Sequence, residues 1–447
     1  MSLFLCIAAF FACVIAGRRS LVSGLVTLLG IGYVYGIVRA NLPDPYSHFI
    51  FDAGVVGLYL TQFFRPLTRD RQQRTQGLRP WLEFLIAWPL LLFLIPGQDI
   101  LIRVVGLRGN IFLLLFIMIG ARLADDERYD LSLWLAGLNL VVFAFALLEF
   151  FTSVETFFPR NEVTRLIYST KDLVGYTAYR IPSAFSGAHA YAGTMVMGLP
   201  LLFGALQQRK KQNWHKLILV AGLIASVSGV LLAATKLHFV GASVVVLVAV
   251  FSIRSRVSHL LGWILVLVAI GWVVSGDQRL QRFTELRDTE MVSERIGASF
   301  NEGFFKLAVA YPFGNGLGGG GTSMPYFLAN QIRNPVGIEN EYARIMLEQG
   351  IFGLGLWIAF IFWLLVQQGQ GNGAAWSLGR RLAWVTCAAY FASGLLGTGL
   401  FTSIPQTCLF LINVGWVAAR QTERAMEETF LVPSQPEQVF SHAKPGR

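Results

Sequence analysis

Three short stretches of the chain carry polar side chains that packing alone accounts for poorly. Thr235-Lys236-Leu237-His238 sits at a tight hairpin between two apolar runs. An ionisable residue at membrane depth is costly and as a rule faces a cavity or a partner. The competing role is a lysine that snorkels to the interface, and the functional reading is the better of the two. Arg180 leads Ile181-Pro182-Ser183-Ala184-Phe185-Ser186-Gly187-Ala188-His189 into the next apolar run. An interfacial arginine can equally pair with lipid headgroups, and a lone histidine is more often a satisfied polar residue than a catalyst. Glu339-Asn340-Glu341-Tyr342-Ala343-Arg344 opens a third run. Helix capping accounts for Asn340 and Glu341, and an i,i+4 pair for Arg344 with Glu348. Glu339, one residue ahead of the cap, is left without that explanation. Transfer of a group away from a diphosphate, if that is the chemistry, would use the arginine and lysine to neutralise the leaving group.

Other candidates carry less. Gly314 to Gly321 superficially resembles a phosphate-binding loop, but it follows Tyr311-Pro312-Phe313 rather than a strand. A flexible loop with positive φ angles is expected there instead. The external connectors hold no Asp-x-Asp pair and the histidines are scattered, so no metal site is expected. Cys6, Cys13, Cys387 and Cys408 lie inside apolar runs without ligand spacing and read as packing residues. On spacing alone nothing singles out Arg295.

The elements that must position these groups are membrane helices. Of the 447 residues 54% are hydrophobic and 14% charged, too little charge for a soluble surface of this size. Mean hydropathy is +0.56. Apolar runs at about 2–16, 20–38, 49–64, 81–96, 101–121, 131–151, 189–206, 216–234, 237–253, 258–275, 342–366, 381–397 and 400–419 predict 12 or 13 spans. The expected fold is all-α: a polytopic integral membrane helix bundle over 1–419, then a polar, proline-containing cytoplasmic tail, 420–447, without fixed structure. No cleavable signal peptide is expected, because the first apolar run ends at Arg18-Arg19.

Charge then orients the bundle. The net charge of +10 would suggest nucleic acid in a soluble protein; here it reads as positive-inside topology, and no nucleic-acid partner is expected. Arginines at 65–79, the basic run 209–216, Arg254 with Arg256, and Arg380 with Arg381 fall on one side of an alternating bundle, the cytoplasmic one. Two long connectors, about 152–188 and 276–341, then fall outside. A connector of about 65 residues is expected to be functional. Neither an internal repeat nor an inverted pair of broken helices is visible, which weighs against a transporter.

The order of these elements resembles the O-antigen ligase and O-antigen polymerase (Wzy-like) superfamily of bacterial polysaccharide assembly, over roughly 130–420. The Arg180…Phe185-x-Gly187-x-His189 stretch resembles the arginine-led motif entering a mid-chain span. Thr235-Lys236 stands where the family often has Ser-Arg. Arg295 followed by Pro312-x-Gly314-x-Gly316-x-Gly318 resembles its large external loop. Glu339-Asn340-Glu341-Tyr342 with Glu348-x-Gly350-x-x-Gly353 resembles its His-Asn-x-Tyr/Phe…Glu-x-Gly segment. Two positions depart: glutamate for the usual histidine at Glu339, lysine for the usual arginine at Lys236. Glutamate can still accept a proton and lysine still bind phosphate.

The resemblance implies transfer of glycan from an undecaprenyl-diphosphate-linked donor at the outer face of the bacterial cytoplasmic membrane. Arg180, Lys236 and Arg295 would clamp the diphosphate, and Glu339 would deprotonate the acceptor hydroxyl. Asn340 and Tyr342 would orient the acceptor or loop, with His189 and His238 as further substrate contacts. A single candidate carboxylate implies inversion, without metal or cofactor. The acceptor is a repeat unit, a lipid-linked core or a protein, alongside membrane lipid and other polysaccharide-assembly proteins as partners. The alternatives are a non-catalytic flippase for lipid-linked oligosaccharides and a scaffold within a synthesis complex.

Overall fold

The computed structural model describes residues 1–169, 179–208, 212–252, 297, 303–321, 324–338, 340–367 and 376–420. All regular structure among them is helical. The helices are α1 (Ser2–Arg19), α2 (Leu21–Asn41), α3 (Ile50–Phe63), α4 (Arg69–Thr75), α5 (Arg79–Phe93), α6 (Ile100–Ile111), α7 (Leu115–Arg122) and α8 (Asp125–Thr152). They continue as α9 (Arg165–Ser169), α10 (Ala188–Leu206), α11 (Asn213–Leu232), α12 (Lys236–Ser252), α13 (Gly303–Ala310), α14 (Glu341–Val366), α15 (Ser377–Ser393) and α16 (Gln406–Ala418).

The chain is a polytopic membrane helix bundle. Seven of these helices, with α6 and α7 taken as one, are both long and apolar enough to cross a bilayer. A helix stands at each expected span except 258–275, which lies outside the described residues, as do Arg254, Arg256, Arg295, Glu339 and the tail from 421. Five of the helices at expected positions (α3, α5, α12, α15 and α16) have 17 residues or fewer. The expected span at 101–121 is interrupted between α6 and α7. Helix α8 begins six residues before its apolar run. Asp125, Asp126 and Glu127 fill its first turn, where carboxylates meet the positive helix end, and Glu127 accepts from the Ala124 N–H at 2.9 Å.

Helix α10 is the axis of the bundle. Of its most apolar 18-residue window 89% is buried, against 28% for α1, so α10 is ringed by protein and α1 lies at the periphery. It packs on α8, α11, α12, α15 and α16. Most of the buried apolar residues form one continuous cluster, and Ala40, Val154, Phe158 and Ile167 form a second, smaller one at the loop end.

The connectors sort into two ends. At one, Arg71 pairs with Glu127 at 2.8 Å, and Arg420 N–H donates to the Arg74 carbonyl at 3.2 Å. Arg380 there donates to the Val417 and Ala419 carbonyls, and Tyr129 meets His215 at 3.0 Å. This basic end gathers the described connectors that the charge pattern placed together. At the opposite, loop end, Ser2 donates to Asp44 at 2.9 Å, Gln98 to the Asn315 carbonyl at 3.0 Å, and Glu341 N–H to the Gly394 carbonyl at 2.8 Å. In a Cys6→Ser background, Asn330→Cys and Gln212→Cys are therefore expected to react from opposite sides with an impermeant thiol reagent. Labelling of both from one side would refute the arrangement.

The glycine-rich loop departs from its expected looseness. Gly314, Gly316, Gly318 and Gly321 do hold φ between 69° and 86°. Yet the loop is docked into a break in α14, where Gly350 has φ 70°. Asn315 N–H donates to the freed Leu347 carbonyl at 2.6 Å, and Ile351 N–H to the Pro312 carbonyl at 3.0 Å. Backbone groups at membrane depth need such partners, so the loop completes the helix it interrupts.

Candidate functional site

The loop end holds most of the described residues that the sequence singled out. The segment before α10 is fixed first. At Gly36 of α2 a Cβ would stand 1.9 Å from the Phe185 carbonyl carbon, so only glycine lets this segment lie against the helix. Ile37 N–H donates to the Ala184 carbonyl at 3.0 Å. Ser183, at φ 51°, donates through its hydroxyl to Val142 and through its N–H to Glu149 at 2.8 Å. Glu149 is 1% exposed. These contacts hold the turn that presents Arg180.

Arg180 Nη1 donates to His189 Nε2 at 2.9 Å. A guanidinium only donates, so the imidazole accepts and carries its own proton on Nδ1. The His189 ring lies 5.9 Å from that of His238, two residues into the helix that Lys236 begins. His238 Nε2 is 3.4 Å from the Gln406 amide nitrogen, which also donates to the Tyr390 hydroxyl. The next residue, Phe391, accepts at its carbonyl from the Tyr342 hydroxyl at 2.7 Å. One path of contacts thus joins Arg180, His189, His238 and Tyr342, drawn from three separated stretches. Asn340 is the N-cap of α14, accepting from Ala343 N–H at 2.6 Å as expected.

The sequence did not reveal Gln406 and Tyr390 as parts of this cluster. A glutamine and a tyrosine inside apolar runs were the available signals. Thr235 Oγ1, His238 Nδ1 and Gln406 Oε1 are buried with no hydrogen-bond partner among the described residues. Buried polar atoms are normally satisfied, so these atoms are the ones in the cluster left over for a ligand's hydroxyls or for water. The Thr235 hydroxyl in particular leaves the start of α12 without its side-chain cap, where helix dipole and Lys236 both favour an anion.

An apolar groove of about 430 Å³ runs along α14. Leu354, Ile358, Ile361 and Leu365 line it, with Asn340 and Tyr342 as its polar members.

Glu341 and Glu348 differ from the modest cap and surface pair that spacing suggested. Glu341, Arg344 and Glu348 are at most 1% exposed. Arg344 bonds Glu341 at 2.7 Å and Glu348 at 2.8 Å. Asn110 donates to Glu348 at 2.6 Å, and Gly399 and Leu400 N–H groups donate to Glu341. The trio is a buried clasp between α6, α14 and the 394–405 connector.

Among the described residues no group of three His, Cys, Asp or Glu could hold a metal ion. Outside the spans, burial and then Arg39 and Arg108 push the His48 imidazole down to about 4. Its unfolded value is near 6.5, so the stability from the neutral ring is full above that pH and lost as pH falls toward 4. Thermal unfolding in detergent is expected to lose on the order of 1 kcal/mol over that window, and His48→Gln to flatten it. An unchanged profile in the variant would assign the loss to other groups.

The chain matches no protein-family model and no curated protein.

Proposed function

We propose that this protein is a membrane glycosyltransferase. It moves glycan from an undecaprenyl-diphosphate-linked donor to an acceptor hydroxyl at the outer face of the bacterial cytoplasmic membrane. The observation that carries the reading is the contact path from Arg180 through His189 and His238 to Tyr342, beside the start of α12 at Lys236. Positive-inside orientation directs the basic end to the cytoplasm and this site outward. The apolar groove that reaches Asn340 and Tyr342 suits a polyprenyl tail whose head stays at the Arg180–His238 cluster.

In this reaction the acceptor oxygen bonds to the anomeric carbon as the carbon–phosphate-oxygen bond breaks. Glu339 takes the hydroxyl proton, and undecaprenyl diphosphate leaves with the bonding pair. Arg180 and Lys236, with Arg295 from the long connector, stabilise the charge that develops on the departing oxygen. His189 keeps Arg180 aimed, and the orphaned atoms around His238 receive sugar hydroxyls. Displacement by the acceptor itself inverts the anomeric centre.

Arg180→Ala in purified protein is expected to cost about 2–4 kcal/mol of transition-state stabilisation, while wild-type turnover survives chelator. Strict dependence on added magnesium, or full turnover by the variant, would sink the reading. A flippase would move the donor between leaflets of a liposome without consuming it.

A further inference from the structure

On the far side of the 179–187 segment, the loop end holds a second group of cations. Arg39, in the last turn of α2, lies over the Tyr35 ring at 5.8 Å. The Tyr35 hydroxyl donates to the His48 carbonyl at 3.0 Å. Arg108 of α6 grips Asp52 of α3 through two bonds, at 2.5 and 2.7 Å. Tyr326 and Phe327, from the long connector, each stand 5.8 Å from the His48 ring.

Helix-end electrostatics accounts for an arginine at position 39. It does not account for what surrounds that arginine. His48 is 8% exposed, and its Nε2 has no hydrogen-bond partner among the described residues. The Arg39 Nε is likewise buried and unmatched. Asp52 offsets one of the two guanidiniums, and no described carboxylate pairs with Arg39. The group is left with one net positive charge, two unused hydrogen-bonding atoms and an aromatic cover.

We propose that Arg39, His48 and Arg108 form a second anion site, separate from Arg180 and Lys236. It takes a singly charged oxyanion, such as a sugar carboxylate or a lipid headgroup phosphate. Arg39 supplies charge-assisted hydrogen bonds, Arg108 the nitrogen that Asp52 leaves unused, and His48 Nε2 one polar contact. Tyr326 and Phe327, each 37% exposed, offer ring faces to the C–H groups of whatever carries the anion. The site does not depend on the glycosyltransferase reading, and its test reads binding rather than transfer.

Full-length protein in phosphatidylcholine nanodiscs is titrated with methyl β-D-glucuronide and methyl β-D-glucoside by saturation-transfer NMR. In parallel, native mass spectrometry counts retained phosphatidylglycerol. One of the two anions is expected to bind, with the glucoside far weaker. Arg39→Gln should weaken that binding about tenfold or more, the loss of a charge-assisted bond. Arg165→Gln, an exposed arginine at the same end, should leave it unchanged. Tyr326→Ala with Phe327→Ala alters only half-exposed rings and should weaken it in a chain that still folds. Glucuronide binding assigns a saccharide source and phosphatidylglycerol retention a lipid one. Equal binding of glucoside and glucuronide, full anion binding by Arg39→Gln, or binding of neither anion would overturn the site.

Discussion

On the proposed reaction, Glu339→Gln is expected to slow glycan transfer by about 10²–10⁴-fold, the usual contribution of a positioned general base. The amide keeps the size and hydrogen bonding of the acid and removes only its basic lone pair. Donor binding should persist, so glycan-laden polyprenyl diphosphate should accumulate in cells while product disappears. Asn340 caps α14, and both it and Tyr342 line the groove. Glu341 and Glu348 are unsuitable comparisons because each belongs to the buried clasp. Glu162, exposed in the other long connector, is the charge-matched control. Normal product from Glu339→Gln at normal expression would mean that another group takes the proton.

Arg344→Ala should destabilise the folded protein by about 3–5 kcal/mol, because it strands two carboxylates away from water. The loss should appear as a lowered unfolding midpoint in detergent and as poor expression. Removing every charge at once, with Glu341→Gln, Arg344→Met and Glu348→Gln together, should cost less than the single change. Burying an unpaired charge is more expensive than replacing the ion pairs by neutral groups of similar volume. Equal losses in the two variants would show that packing around Arg344, rather than its charge, holds this region.

Apolar runs reveal membrane helices well, because the bilayer sets both their length and their composition. Thus the run at 189–206 became α10 within one residue, and Asn340 took the capping role that its position suggested. Depth within the bundle is much harder to read. The spacing of Arg344 and Glu348 is the same on an exposed helix face and in a core, so a fully buried clasp passed for a surface pair. The His238 cluster was only half legible for a related reason. Lys236 and His238 stood out as charged or polar groups between apolar runs. Gln406 and Tyr390 gained meaning only when α15 and α16 brought them beside His238. The glycine-rich loop had its φ angles written in its composition, but its docking partner, the Leu347–Ile351 break in α14, had no local signature.

The break at Gly350 ties the helix that walls the groove to the long connector. Ile351 and Leu347 each complete their hydrogen bonding through the connector, at Pro312 and Asn315. Below the break, the same helix supplies Leu354, Ile358, Ile361 and Leu365 to the groove wall. A substitution that undocks the 312–315 turn therefore leaves the Leu347 carbonyl and the Ile351 N–H without partners one turn from the groove wall.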